Sequence, residues 1–161
     1  MAQHKITIDD KEFNADGGGV EIPNVKLKAL TGGSSWNTRL SQIAHVKGNI
    51  TICTYSLPDI NYLSRIFCKR QEDVKILVNK KFESRAREMM LKFPKLEIYL
   101  KDDVHAKLVL LAPETVYIGS DNFGDSGWFE ATVRIKSPYV YRHYIEQINK
   151  QIMCAEFITA H

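Results

Sequence analysis

The sequence predicts an α/β domain: a mixed, largely parallel β-sheet flanked by helices on both faces. Three observations predict it. Between Asn49 and Asp102, apolar runs of strand length alternate with segments whose apolar residues recur every three or four positions, the pattern of strand–helix–strand units with right-handed crossovers. Two further apolar runs then follow with only Ala112-Pro113-Glu114 between them, too short for a helix and suited to a hairpin. A final amphipathic stretch, PYVYRHYIEQINKQIM, supplies one more helix.

Taken in order, residues 5–30 hold short strand-like pieces, KITID and VKLKAL, around the flexible ADGGG at 15–19. TGGSSW at 31–36 reads as a loop in which Ser34 or Ser35 caps a helix running to about Lys47. This Gly-rich patch lacks the Lys-Ser/Thr of a P-loop. NITICTYS (49–56), DVKILVN (73–79) and LEIYLKD (96–102) are strands rich in β-branched and aliphatic residues. Between them, PDINYLSRIFCKR (58–70) places Ile60, Leu63 and Phe67 at helical spacing behind Pro58, and FESRAREMMLKF (82–93) is a second helix stopped by Pro94. HAKLVLL (105–111) and TVYIGSDN (115–122) form the hairpin, EATVRIKS (130–137) is a further strand, and helix 138–153 buries Val140, Tyr144, Ile148 and Ile152. The whole is a single domain, 1–161, with a less regular portion at 1–35 and a core at 36–153.

A chain of 161 residues, 44% apolar and 25% charged, is folded, long enough to bury a proper core and too short for two domains. Its net charge of +3 is compatible with a phosphate-bearing partner without being that of a protein that coats nucleic acid. The basic residues cluster. Lys69, Arg70, Lys75, Lys80, Lys81, Arg85, Arg87, Lys92 and Lys95 stand against Glu72, Asp73, Glu83 and Glu88; the region is either a solvated helix face or a surface for a polyanion. Cys53, Cys68 and Cys154 are too few and too scattered for a disulfide framework, and no Cys/His cluster has zinc-ligand spacing. The start of the chain, MAQHKITIDD, lacks the apolar run of a secretory signal, and no 18-residue apolar run occurs. The expected location is therefore the cytoplasm, with no membrane partner.

The chemistry concentrates in DDVHAKLVLLAPETVYIGSDNF, Asp102 to Phe123. Alternate residues share a face of a strand, so His105 and Lys107 point one way, as do Ser120 and Asn122 on the partner strand. Pairing across 112–114 brings His105 near the level of Ser120 and Asn122. An imidazole, an ammonium, a hydroxyl and an amide in one patch suit phosphoryl transfer. Histidine attacks phosphorus, lysine and asparagine hold the non-bridging oxygens, and Gly119 admits the substrate to the backbone. Each residue alone is ordinary; the set at these offsets arises by chance with a probability on the order of 10⁻⁴ from average usage. HVK at 45–47 repeats the His-x-Lys pair, but no Gly-Ser-x-Asn follows it.

These residues resemble the signature of the phospholipase D superfamily: His-x-Lys, four residues, Asp, six residues, Gly-Ser-x-Asn. His105, Lys107, Gly119, Ser120 and Asn122 fall in register, and the likeness covers about residues 40–150, nearest to the small single-motif endonucleases. The domain is then a phospholipase D-like half. One position departs, since the family aspartate falls at Ala112; its role looks like support of the turn. The resemblance implies that FEATVRI carries, at Glu130, the acid that orders the imidazole, although an edge-strand carboxylate would look the same. It further implies a covalent phosphohistidine on His105, no metal or other cofactor, and a homodimer in which two motifs face each other to supply the second histidine. The expected substrate is nucleic acid, DNA first, cut with little sequence preference. Lys80, Lys81 and Arg85 would hold its backbone, and Trp128 would stack on a base. Two rivals stay open: a phospholipid or small phosphodiester hydrolase of the same chemistry, which calls for a hydrophobic lip, and a non-catalytic binding module, which would tolerate His105→Asn.

Overall fold

A computed structural model describes residues 22–32, 42–123 and 129–159. Eight strands form one sheet in the spatial order β1-β7-β6-β5-β2-β3-β4-β8. Their ranges are β1 Lys26–Thr31, β2 Ile50–Thr54, β3 Val74–Asn79, β4 Glu97–Lys101, β5 Leu108–Leu111, β6 Thr115–Gly119, β7 Ala131–Lys136 and β8 Glu156–Ile158. Among the described residues, three longer helices accompany them, α1 Ile60–Phe67, α2 Glu83–Lys92 and α3 Pro138–Ile152, with a 3-10 turn at Lys80–Phe82. The strand KITID and the capping residues Ser34 and Ser35 lie outside the described residues, and only a helical turn at 42–45 represents the helix expected to reach Lys47.

The sheet is mixed, as the sequence implies, but its parallel part is narrower than "largely parallel" suggests. Only β2–β3 and β3–β4 pair parallel; the other five pairings are antiparallel. The reason lies in the connections. A parallel pair needs a crossover, and α1 and α2 supply one each, whereas β5 and β6 are joined by three residues and can only run antiparallel. The edges β1 and β8 also add antiparallel. Strand β8, only three residues long, is not foreseen by any pattern in EFI.

Side chains alternate across the sheet and build a core on each face. On one side Ile52, Ile76, Ile98 and Val109 pack with Leu63, Phe67 and Met89 of α1 and α2. On the other, Cys53, Leu77, Leu110 and Val116 pack with Val140 and Ile148 of α3. Tyr144 and Ile152 join this second core only partly buried. The helices start where capping residues stop the strands. Asp59 accepts the amide N–H groups of Asn61 and Tyr62 at 2.8 and 3.0 Å, which holds its carboxyl below the usual range. Ser137 accepts that of Val140 at 3.3 Å, with Pro138 opening α3.

The hairpin turn sits where β2 begins. Ala112 donates its amide to the Asn49 carbonyl at 2.9 Å, and a Cβ on Gly48 would come 2.8 Å from the Ala112 carbonyl oxygen. Arg70 ties the same corner through the carbonyls of Val46 and Gly48. Position 112 is therefore at the opposite end of β5 from His105.

Candidate active site

All the sequence-predicted catalytic residues stand on one edge of the sheet. Cys53, Leu108, Ile118 and Val133 form one row across β2, β5, β6 and β7. Beyond this row lie the carboxyl ends of β2 and β6 and the approaches to β5 and β7, so residues 105–107, 119–122 and 130 meet at the same level. Gly119 donates its amide to the Lys107 carbonyl at 3.3 Å, which fixes the two halves of the motif side by side.

His105 and Lys107 lie in the extended segment just before β5 rather than within it. That segment is held from beneath. Asn79, buried at the end of β3, donates its amide to the carbonyls of Asp102 and Val104 at 2.7 and 3.0 Å. The exposed His105 ring rests 5.0 Å from the ring of Tyr55, which meets Phe82 edge-on at 5.4 Å. The Lys107 ammonium donates to the His105 carbonyl at 2.9 Å and stands 3.5 Å from its Nδ1. Nε2 is thus the imidazole nitrogen turned away from Lys107.

The Gly-Ser-x-Asn half is pinned at its alternate residues. Buried Asp121 accepts the Thr132 hydroxyl at 2.8 Å, and the Phe123 amide donates to Thr54 Oγ1 at 3.1 Å while its ring enters the core. Gly119 is required by this packing: a Cβ there would lie 2.5 Å from Thr132 Oγ1 and 2.7 Å from Asp121 Oδ1. Between the pins, Ser120 donates to Glu130 Oε2 at 2.5 Å and accepts the Ala131 amide at 3.1 Å. The side-chain oxygen of Asn122 is buried with no hydrogen-bond partner among the described residues. An unmet buried acceptor costs about 1–3 kcal/mol, so a donor arriving at this edge has a place prepared for it.

The structure brings together His105 with Lys107, and Ser120 with Glu130, on the edge that also carries Gly119 and Asn122. Among the described residues the hydrogen-bond partner of Glu130 is Ser120 rather than His105. The expected backbone-holding residues are placed otherwise. Lys80 pairs with Glu156 at 2.9 Å, which raises the lysine and lowers the carboxyl from their ordinary values. Arg85 donates to the Pro58 carbonyl at 2.7 Å and faces Glu88 at 3.6 Å. Lys81 is exposed on the turn beside Phe82, and Trp128 lies outside the described residues. Sequence reasoning missed Asn79, Tyr55, Asp121 and Thr132, all of which position the edge; a polar residue closing the apolar run VKILV was the one local signal. A cavity of about 280 Å³ lined by Asn49, Asp73, Lys75, Glu97, Tyr141 and Asn149 lies at the opposite end of the strands and takes no part here. Among the described residues no three His, Cys, Asp or Glu side chains gather as a metal site, and no helix is long and apolar enough to cross a membrane.

A mixed sheet presenting His-x-Lys and Gly-Ser-x-Asn at one edge defines the phospholipase D-like class, whose members act on phosphodiesters. The chain belongs to it: residues 40–152 match the family described as cardiolipin synthase, PLD-like domain. Among solved structures it is similar to Nuc of Salmonella typhimurium, a phospholipase D family member, with a TM-score of 0.70 and 20% identity over 83% of this chain and 99% of that one. NucT of Helicobacter pylori gives a TM-score of 0.67 and 14% identity over 82% and 98%. The archaeal chromatin protein TrmBL2, whose structure shows a novel mode of DNA binding, gives 0.63 and 18% over 87% and 57%. A comparison with curated proteins gives no match.

Proposed function

We propose that this protein is an endonuclease that hydrolyses DNA with little sequence preference through a phosphohistidine, as a homodimer with one composite site. One observation carries the reading: an exposed histidine with its Nδ1 beside an ammonium and a Ser–Glu pair share the sheet edge that also carries Asn122. His105 Nε2 attacks phosphorus, forming a P–N bond as the P–O bond to the leaving group breaks. The departing oxygen takes a proton from the second histidine, supplied by the other protomer. That histidine then deprotonates a water, which attacks phosphorus and frees His105. The Lys107 ammonium and the Asn122 amide N–H₂ donate to the non-bridging oxygens as charge builds on them, and Glu130, with Ser120 on its carboxylate, balances the imidazolium. The scheme needs no metal. Likeness to a DNA-binding chromatin protein supports the choice of substrate.

The test is cleavage of plasmid and single-stranded DNA in excess EDTA by wild type and His105→Ala. Nicking by the wild type, reduced at least about 10³-fold in the variant, is the expected result, on the scale of removing a catalytic nucleophile. Inertness of both proteins would turn the reading to the second candidate, a phospholipid phosphodiester, which the family's description favours.

A further inference from the structure

The cations expected to hold a polyanion are largely engaged. Of the nine between Lys69 and Lys95, six have partners: Arg70 with carbonyls and Asp73, Lys75 with Glu97, Lys80 with Glu156, Arg85 with Pro58 and Glu88, Arg87 with Glu83, and Lys95 with Glu72. A different group is mostly free among the described residues, three of its four cations lacking a partner. On β1 and β7, Lys26 stands directly opposite Lys136, and Lys28 directly opposite Arg134. Like charges facing each other across a strand pair repel, and folds ordinarily avoid them. Lys26, Lys28 and Arg134 have no ion-pair or hydrogen-bond partner among the described residues, and Lys136 reaches only Glu114, at 3.7 Å.

Alternation puts all four on one face, the one that turns Leu30 and Thr132 inward. The rows Lys28–Arg134 and Lys26–Lys136 are about 7 Å apart, two residues along a strand. β7 starts beside Glu130, so the array runs away from the reactive edge, about 13 Å to its first row and about 20 Å to its second by the strand rise. Repulsion between facing cations is relieved by a ligand carrying negative charge at regular intervals.

We propose that Lys26, Lys28, Arg134 and Lys136 form a phosphate track that leads the backbone of the nucleic-acid substrate along β1–β7 to the edge holding His105. This rests on the reading of that edge as a nucleic-acid phosphodiesterase site. An anionic bilayer fits the array less well. Membrane-surface segments interleave cations with inserting apolar groups, and the exposed Leu27 between the two lysines points to the other face of the sheet.

The test uses His105→Ala, so that the probe stays intact, and reads binding of fluorescent single-stranded DNA by anisotropy across a salt series. Adding Lys26→Gln, Lys28→Gln and Arg134→Gln is expected to weaken binding at least about tenfold near physiological salt and to flatten the log–log salt slope by about 2, at roughly 0.7 per lost contact. A charge-matched control, Lys69→Gln, Lys92→Gln and Lys150→Gln, is expected to do neither. Equal losses in both triple variants, or no loss in the track variant, would overturn the proposal. Loss of binding to phosphatidylglycerol vesicles with DNA binding intact would overturn it in favour of a membrane surface. A track variant that melts no lower than its parent excludes misfolding, and relief of repulsion predicts a slightly higher melting temperature. Hydrolysis of bis-p-nitrophenyl phosphate by the wild type separates the two readings: its absence counts against the site, while the DNA-binding result still decides the track.

Discussion

A residue's neighbours decide whether its chemistry is used or suppressed, and the cysteines show this. Cys53 lies in the second core, and burial pushes its thiol from 9.0 up to about 11, whereas Cys68 and Cys154 are exposed. Iodoacetamide should therefore modify two thiols in the native protein and the third only after denaturation, as mass spectrometry would count. The raised value also sets a pH dependence. The unfolded chain releases this proton near 9.0 and the fold resists until about 11. The contribution is thus complete below the lower value and is lost as pH climbs through the upper one. A urea midpoint that falls over this range in the wild type, and less in Cys53→Ala, would bear this out. At the same scale the candidate site was legible in part. His105, Lys107, Ser120 and Asn122 announce themselves by spacing, because the hairpin converts spacing directly into proximity. Asp121 and Thr132 do not, since eleven residues and a loop separate two partners that meet only through strand register.

At the scale of elements, the alternation from β2 to β4 was plain because β2 and β3 are buried almost throughout, β4 buries alternate residues, and each helix is amphipathic. Strand ends were less so: β5 begins at Leu108 and β6 stops at Gly119. The residues beyond them keep a strand-like pattern while their backbones turn to other partners. The approach to β5 shows what such an end requires. Its extended segment depends on the buried amide of Asn79, which serves two carbonyls at once. Asn79→Ala would leave both unmet, at about 1–3 kcal/mol, and release His105 from its place over Tyr55. We expect a lower melting temperature together with a fall in kcat larger than any change in KM, because the substrate contacts themselves remain. Asn79→Asp, which keeps the shape but cannot donate, should behave like the alanine variant.

At the scale of the molecule, the reactive edge carries Phe129, 84% exposed beside Glu130. A large aromatic left in water beside that edge fits a surface that a second copy covers, as the proposed composite site would require. Phe129→Glu should give a monomer by light scattering and lose nuclease activity, while its circular dichroism stays native. A monomer of full activity would sink the dimeric scheme. The arrangement of Lys26, Lys28 and Arg134 belongs to this scale too. Nothing local marks them, because about a hundred residues separate β1 from β7 and only the completed sheet brings their charges face to face.

The corner where Ala112 packs on Gly48 has a consequence for how such proteins are found. The superfamily signature is written as one string, yet its aspartate position and its histidine lie at opposite ends of a four-residue strand and answer to separate demands: one sits at a bend, the other at the edge proposed to meet a phosphate. The string is two independent words printed without a space. A search that insists on both will pass over chains that have rewritten the bend and kept the reactive edge intact.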